Sequence, residues 1–477
     1  MAEGHSAYSQ GGGLRWLSIG LMAIASTGWA APDLSKYGQT QLQQDTGASV
    51  QATCGDLAAD EDITLDNSPL FSTCNAMVQT SVDLDGDSNN GRSLMISADE
   101  LAAGLQQVAT EEFAAAGQLG TEIGSNSINI GINRLIEVRK GARGFSIAGL
   151  NPDSKTLLAA DSQWFNSYTG GRGGAAGDSD VWNKLGFFIT GNYSTGDRDR
   201  TDRTDEFDFD TYGLTLGLDY RFMENFVLGA AVSYNDVGSD FTNRPTVAGG
   251  GVDADGWGGF VYGTYYQDRF YIDGLAGYAR SDYDINRKIF IPNNNPAVNG
   301  GNDLVATAKA NPDSNDFTLS AGGGYYFGQD ALSYGPYARL TYLNIDVDDY
   351  REKGAEAIGL NLDVDGQDWK SFTSVLGGQI SFASSHSFGV LVPQGRLAWV
   401  HEFENDARDM VATYVDDPFN NELIARTDSP DRDYFELGLG VSAVFKNGVQ
   451  AFFNYDTVLG LDDLTVHYFS LGGRWEF

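Results

Sequence analysis

The stretch "DFDTYGLTLGLDYRF", residues 208–222, places Tyr212, Leu214, Leu216, Leu218, Tyr220 and Phe222 on one side. Gly213, Thr215, Gly217, Asp219 and Arg221 fall on the other. Period two is the signature of a β-strand with two unlike faces. One face here is apolar and aromatic, and the other is small and polar. The pattern returns at 225–234 with Phe226, Leu228, Ala230, Val232 and Tyr234. It recurs at 316–327 and 433–446, and similar strands fit near 182–193, 256–267, 269–282, 333–346, 369–382, 388–402, 449–457 and 465–477, twelve in all.

The connections decide what these strands build. Long ones, near 194–207, 236–254, 283–315, 347–367, 403–432 and 458–464, alternate with short ones. One short turn is Asn447–Gly448, a strong hairpin signal. Short turns on one side and long loops on the other describe an outer-membrane barrel. A soluble sandwich has no reason for that alternation, nor for aromatic residues at strand ends. In lipid every backbone group must be paired, so the sheet has to close. The predicted fold class is an all-β membrane protein: a 12-stranded antiparallel transmembrane barrel over 182–477. The loops, acidic and Asn-rich as in "STGDRDRTDRTDEFD", read as solvated and extracellular.

Composition agrees. Gly is high at 60, aromatics reach 12% and the formal net charge is −35. That charge argues against nucleic acid, whose phosphates need Lys and Arg. Residues 14–30, "LRWLSIGLMAIASTGWA", have the pattern of a signal peptide, so 1–30 are read as a removed leader. Residues 31–104 are polar and hold Cys54 and Cys74. Export makes a disulfide the natural reading, and it would remove about 3 kcal/mol of unfolded-state entropy. Two Cys without a nearby His supply too few ligands for zinc. "DLDGDSNN", residues 83–90, begins like a calcium loop, but its twelfth position is Leu94 where Glu is required. No metal, cofactor or catalytic site is expected.

Two stretches carry a family resemblance. The chain ends "YFSLGGRWEF", and Ser470, Gly472, Trp475 and Phe477 fit the order polar–x–Gly–x–x–aromatic–x–aromatic. This resembles the terminal strand read by the barrel assembly machinery of Gram-negative bacteria. In "LVPQGRLAWVHEFEND", residues 391–406, Pro393, Trp399, His401, Glu402 and Phe403 resemble a strand motif of autotransporter translocator barrels, the type V secretion family. The resemblance covers roughly 180–477. It implies a monomeric Gram-negative outer-membrane protein in contact with lipid and lipopolysaccharide, assembled with periplasmic chaperones and the assembly machinery. It also implies a helix threading the pore and an upstream passenger carried to the cell surface.

Residues 105–181 supply that helix and a linker. Over 99–143, Asp99 and Glu100 suit a helix start. Arg134, Arg139, Lys140 and Arg143 make the later half basic, fitting an acidic lumen. Asn126, Asn129 and Asn133 are placed to hydrogen-bond lumen side chains. Gly117, Gly120, Gly124 and Gly131 predict breaks. Some family members cut their own pore helix at an Asn–Asn pair; 99–143 has none. The short passenger, 31–104, contains no His, which excludes a Ser–His–Asp set within it. "GDSD" at 177–180 is only an echo of the Gly-Asp-Ser-Leu esterases. His401 and Glu402 read as rim or lumen residues. A plugged channel with a periplasmic N-terminal segment, or an adhesin using loops 283–315 and 403–432, stands as the alternative.

Overall fold

The computed structural model describes residues 33–109, 111–139, 184–241, 248–329, 331–445 and 449–476. Residues 1–30, Lys140, Arg143, the 177–180 stretch, Asn447–Gly448 and Phe477 lie outside them.

Twelve strands form one ring. They are β1 (Leu185–Arg198), β2 (Phe207–Met223), β3 (Phe226–Phe241), β4 (Gly250–Gln267), β5 (Phe270–Ile291) and β6 (Asp313–Tyr325). After them come β7 (Leu332–Val347), β8 (Gln367–Phe382), β9 (Gly389–Glu402), β10 (Asp433–Phe445), β11 (Val449–Leu459) and β12 (Leu464–Glu476). Each pairs antiparallel with its chain neighbours, and β12 returns to β1 with Trp475 opposite Phe187. Closure leaves no edge, as a hydrocarbon surround demands.

Across the membrane the alternation is lipid outward, polar inward. Leu214, Leu216 and Leu218 are exposed on the outer face, while Thr215 and Asp219 are buried inside. Trp257, Tyr278 and Tyr212 are among the exposed aromatic residues of this belt, which suits a membrane interface.

Beyond the membrane the phase inverts. On β2, Phe207 and Phe209 point inward and Asp208 and Asp210 outward. On β5, Ile285, Ile289 and Ile291 are buried and Asp284 and Lys288 exposed. Strands therefore outrun their predicted ends: β5 reaches Ile291 rather than 282, and pairs there with a loop strand, Leu304–Ala310. Loops 348–366 and 403–432 contribute a four-stranded sheet of Tyr350–Arg351, Leu362–Val364, Asp409–Tyr414 and Glu422–Arg426. The expectation of simply solvated loops is corrected: their inner faces are apolar because something covers them.

The cover is the N-terminal segment. It folds as α1 (Gln41–Ala59), α2 (Pro69–Leu84) and α3 (Ala98–Val108). Thr40 and Ser97 cap α1 and α3 in capping boxes, the latter with Glu100, and Ser68 caps α2 ahead of Pro69. Cys54 and Cys74 are joined by a disulfide between α1 and α2. Leu42, Leu57, Leu70, Met77, Leu101 and Leu105 form one core with Phe207, Phe241, Ile285, Ile289, Leu362 and Leu423. The division read after residue 104 falls inside α3. The acidic 83–90 turn is tied internally: Asp83 accepts from Asn89 (2.9 Å) and Ser93 (2.9 Å), and Asp85 from Tyr37 (2.6 Å) and Lys36.

Candidate functional site

The site is the lumen and the helix that fills it. α4 (Glu111–Arg139) has 29 residues, about 43 Å of helix. It runs unbroken through all four glycines. The predicted breaks do not occur; the interruption lies between Val108 and Glu111, where α3 gives way to α4. The glycines are there for space. A Cβ on Gly117 would lie 1.9 Å from the Trp369 ring, on Gly120 2.9 Å from Ile345 and Tyr283, on Gly124 2.8 Å from Leu343, and on Gly131 2.0 Å from Leu275.

These contacts also give the direction. Trp369, Tyr283 and Ile345 lie toward the long-loop ends of β8, β5 and β7, whereas Leu275 lies near the short-turn end of β5. α4 therefore enters from the loop side, beneath α1–α3, and ends at the short-turn side. Ile130 and Leu135 pack on Phe188, Phe260, Tyr262 and Leu275 of the wall.

Polar residues fasten its lower half. Arg134 pairs with Asp219 on β2, which also accepts from Arg474 of β12 at 3.0 Å. Arg139 bonds both oxygens of Asp273 on β5, at 2.6 and 2.5 Å, and lies 3.8 Å above the Tyr271 ring. Arg339 of β7 reaches the same carboxylate at 3.3 Å. Asn133 donates to Asp456 on β11 (3.2 Å), itself bonded by Arg396 of β9 (2.8 Å). Glu137, the lone acid among these cations, accepts from Ser442 (2.8 Å), Gln450 (2.5 Å) and Gln394 (3.2 Å). Buried charges persist only when paired like this. Asn126 is buried, and Asn129 lines a cavity of about 330 Å³ beside the helix, with Tyr337, Arg339, Arg396 and Glu436.

The wall partners Asp219, Asp273, Asp456, Arg339, Arg396 and Arg474 were not singled out from sequence. Their signal is nonetheless present. An ionisable residue in the inward register of a membrane strand is costly unless it has a partner, and Asp219 stands in the middle of the 208–222 pattern.

The family-motif strand is β9. Pro393 and Trp399 face outward, and Trp399 Nε1 and His401 Nδ1 both lie on Asp433, at 3.0 and 2.8 Å. Phe403 packs edge-on to His401. Glu402 turns inward and accepts from Ser371 Oγ and the Phe372 and Glu404 amides. His401 and Glu402 thus face opposite sides of the wall. On β12, Ser470 is buried on the lumen side beside Asn454 (3.3 Å), and Gly472 leaves room for the Phe452 ring. Trp475 faces lipid beside Phe187.

The chain is similar to several known proteins. Residues 187–456, more than half of the chain, match the family described as Autotransporter beta-domain. Esterase EstA of Pseudomonas aeruginosa is 26% identical over 253 residues, 51% of this chain and 36% of that protein. Outer membrane protein A of Rickettsia conorii is 24% identical over 312 residues, 64% of this chain and 15% of that protein. The chain thus spans about a third or less of these relatives' lengths. Among solved structures, the translocator domain of autotransporter NalP from Neisseria meningitidis has a TM-score of 0.48 at 16% identity, covering 68% of this chain and 97% of that one. The transport unit of AIDA-I from Escherichia coli has a TM-score of 0.45, also at 16%, covering 67% and 97%. With its closed twelve-stranded wall and helix-filled lumen, this chain belongs to the autotransporter family and is a Gram-negative outer-membrane barrel with its long loops extracellular.

Proposed function

We propose that the barrel carries residues 33–108 to the cell surface and holds them there as a fixed cap, with α4 as the tether through the wall. The observation that carries this reading is the direction of α4. Its N-terminal end lies under the helices packed on the long loops, and Arg139 lies on Asp273 at the short-turn end. A chain in that path has its N-terminal segment on the outer side, which disfavours a plugged channel with a periplasmic segment. The shared core further suggests retention rather than release.

Residues 33–108 contain no histidine, so no esterase activity is proposed for them despite the EstA relative. The outward belt is taken to meet lipid and lipopolysaccharide. Ser470, Gly472, Trp475 and Phe477 are taken as the signal for the assembly machinery and its chaperones, and Lys140 and Arg143 as a basic extension of the pore helix.

The test is protease shaving of intact cells that carry an epitope tag after Asp60, the C-cap of α1. A periplasmic protein serves as control. Loss of the tag while the control survives is the expected result. A tag cut only after permeabilisation would place the segment inside and overturn the proposal.

A further inference from the structure

Three carboxylates of the lumen wall, Asp219, Asp273 and Asp456, share one construction. Asp219 gives Oδ1 to Arg474 of the wall and Oδ2 to Arg134 of the helix. Asp456 gives Oδ1 to Arg396 of the wall and Oδ2 to Asn133 of the helix. Asp273 gives Oδ2 to Arg339 of the wall and both oxygens to Arg139 of the helix. Each carboxylate is therefore matched by a wall arginine before the helix is counted. Asp219 and Asp456 each present a second oxygen to the lumen, and Asp273 shares its pair.

Such a pair tolerates an empty lumen, because none of these three carboxylates is left without a cation. It also recognises a donor that arrives later, since charge-assisted hydrogen bonds are the strong ones. The chain supplies donors sparingly. Residues 33–133 contain only Lys36 and Arg92 as cations, against fifteen Asp and Glu. Within 33–143, Arg134 and Arg139 are the only two basic residues five apart. We propose that the wall-paired carboxylates Asp219, Asp273 and Asp456 are sockets that set the register at which the chain rests in the barrel, with Arg134 and Arg139 as the matched pair. Acidic segments above them find nothing to hold, and the first matching cations stop the chain.

A one-residue slide of the helix moves its side chains by 1.5 Å along the axis and turns them by about 100°. Arg134 and Arg139 can therefore reach Asp219 and Asp273 together at one register only. The proposal concerns where the chain rests, so its outcome is independent of which side residues 33–108 occupy.

The test uses the full chain with Gly124→Cys and Leu343→Cys, two positions in contact across the helix and wall. Oxidative cross-linking reports the register, and the heat-modifiable band on gels reports the barrel. In R134A/R139A the barrel band is expected to persist while cross-linking falls about tenfold. In R339A/R474A cross-linking is expected to stay near wild type, because the helix arginines still hold both carboxylates. The quadruple variant is expected to lose the barrel, and adding D219N/D273N to restore the barrel but not the cross-link. Undiminished cross-linking in R134A/R139A would overturn the proposal and assign the register to the packing of α1–α3. Loss of the barrel in R134A/R139A would also overturn it, as would failure of D219N/D273N to rescue the quadruple variant.

Discussion

Arg287 of β5 grips Glu352 through two hydrogen bonds, of 3.0 and 2.5 Å, with both side chains almost wholly removed from solvent. The same guanidinium donates to the carbonyls of Gln107 at the end of α3 (3.1 Å) and Leu360 of the loop (2.7 Å). One side chain thus ties barrel, loop and helical cap. Arg287→Ala leaves the Glu352 carboxylate buried without its cation, and should destabilise the cap by about 3–5 kcal/mol. Limited proteolysis of residues 33–108 across a urea series, on the folded barrel, measures this. R287M/E352L, which removes both charges, should cost clearly less than R287A.

Gly117 sets two effects against each other. Alanine in a helix interior gains about 1 kcal/mol over glycine. Its Cβ would however enter the Trp369 ring at 1.9 Å, and overpacking costs about 1–3 kcal/mol. The clash wins, so G117A should loosen the upper part of α4 and raise single-channel conductance in planar bilayers. Gly55, with open space around its Cβ, supplies the control: G55A should stabilise α1 and leave conductance unchanged.

The cap should fail in acid. Hydrogen bonds from Lys36 and Tyr37 hold the Asp85 carboxyl below its usual range, and the Ser97 amide and hydroxyl do the same for Glu100. A carboxylate lowered in the fold contributes stability above its unfolded value, and loses it as pH falls through the folded one. Cap stability should be flat from about pH 8 to 5 and decline below about pH 4. Both groups are largely exposed, so each contribution is small. D85N/E100Q should flatten the acid limb, read by proteolysis of 33–108 as a function of pH.

Trp475 packs on Phe187 across the β1–β12 closure, 6.2 Å between rings, and faces lipid. If it also belongs to an assembly signal, W475A should lower the folded fraction in cells several-fold while refolding in detergent micelles stays close to wild type. An equal loss in both settings would make Trp475 a structural residue of the seam and nothing more.

Within the hydrocarbon layer the fold was legible, because lipid outside and polar groups inside force period two on every strand. Leu214, Leu216 and Leu218 against Thr215 and Asp219 show it directly. Above that layer the constraint changes. Phe207, Ile285 and Ile289 turn toward helices that are distant in sequence, so the alternation persists with its sign reversed and reads as loop. The pore glycines misled for a related reason. Local propensity treats glycine as a helix breaker, whereas the lumen uses it as clearance. The helix cations were visible as a basic run, but their wall partners Arg339, Arg396 and Arg474 lie on separate strands that only ring closure brings together.

The reversal of phase along β2, β3 and β5 makes these strands amphiphilic twice over. Their lower parts are solvated correctly by lipid alone. Their upper parts, with Phe207, Phe241 and Ile289 aimed inward, would line a wet vestibule until α1–α3 arrive. The outer third thus completes its core only with α1–α3 in place. Without those helices the apolar inner faces of the rim have no cover, so wall and cap are finished as one piece.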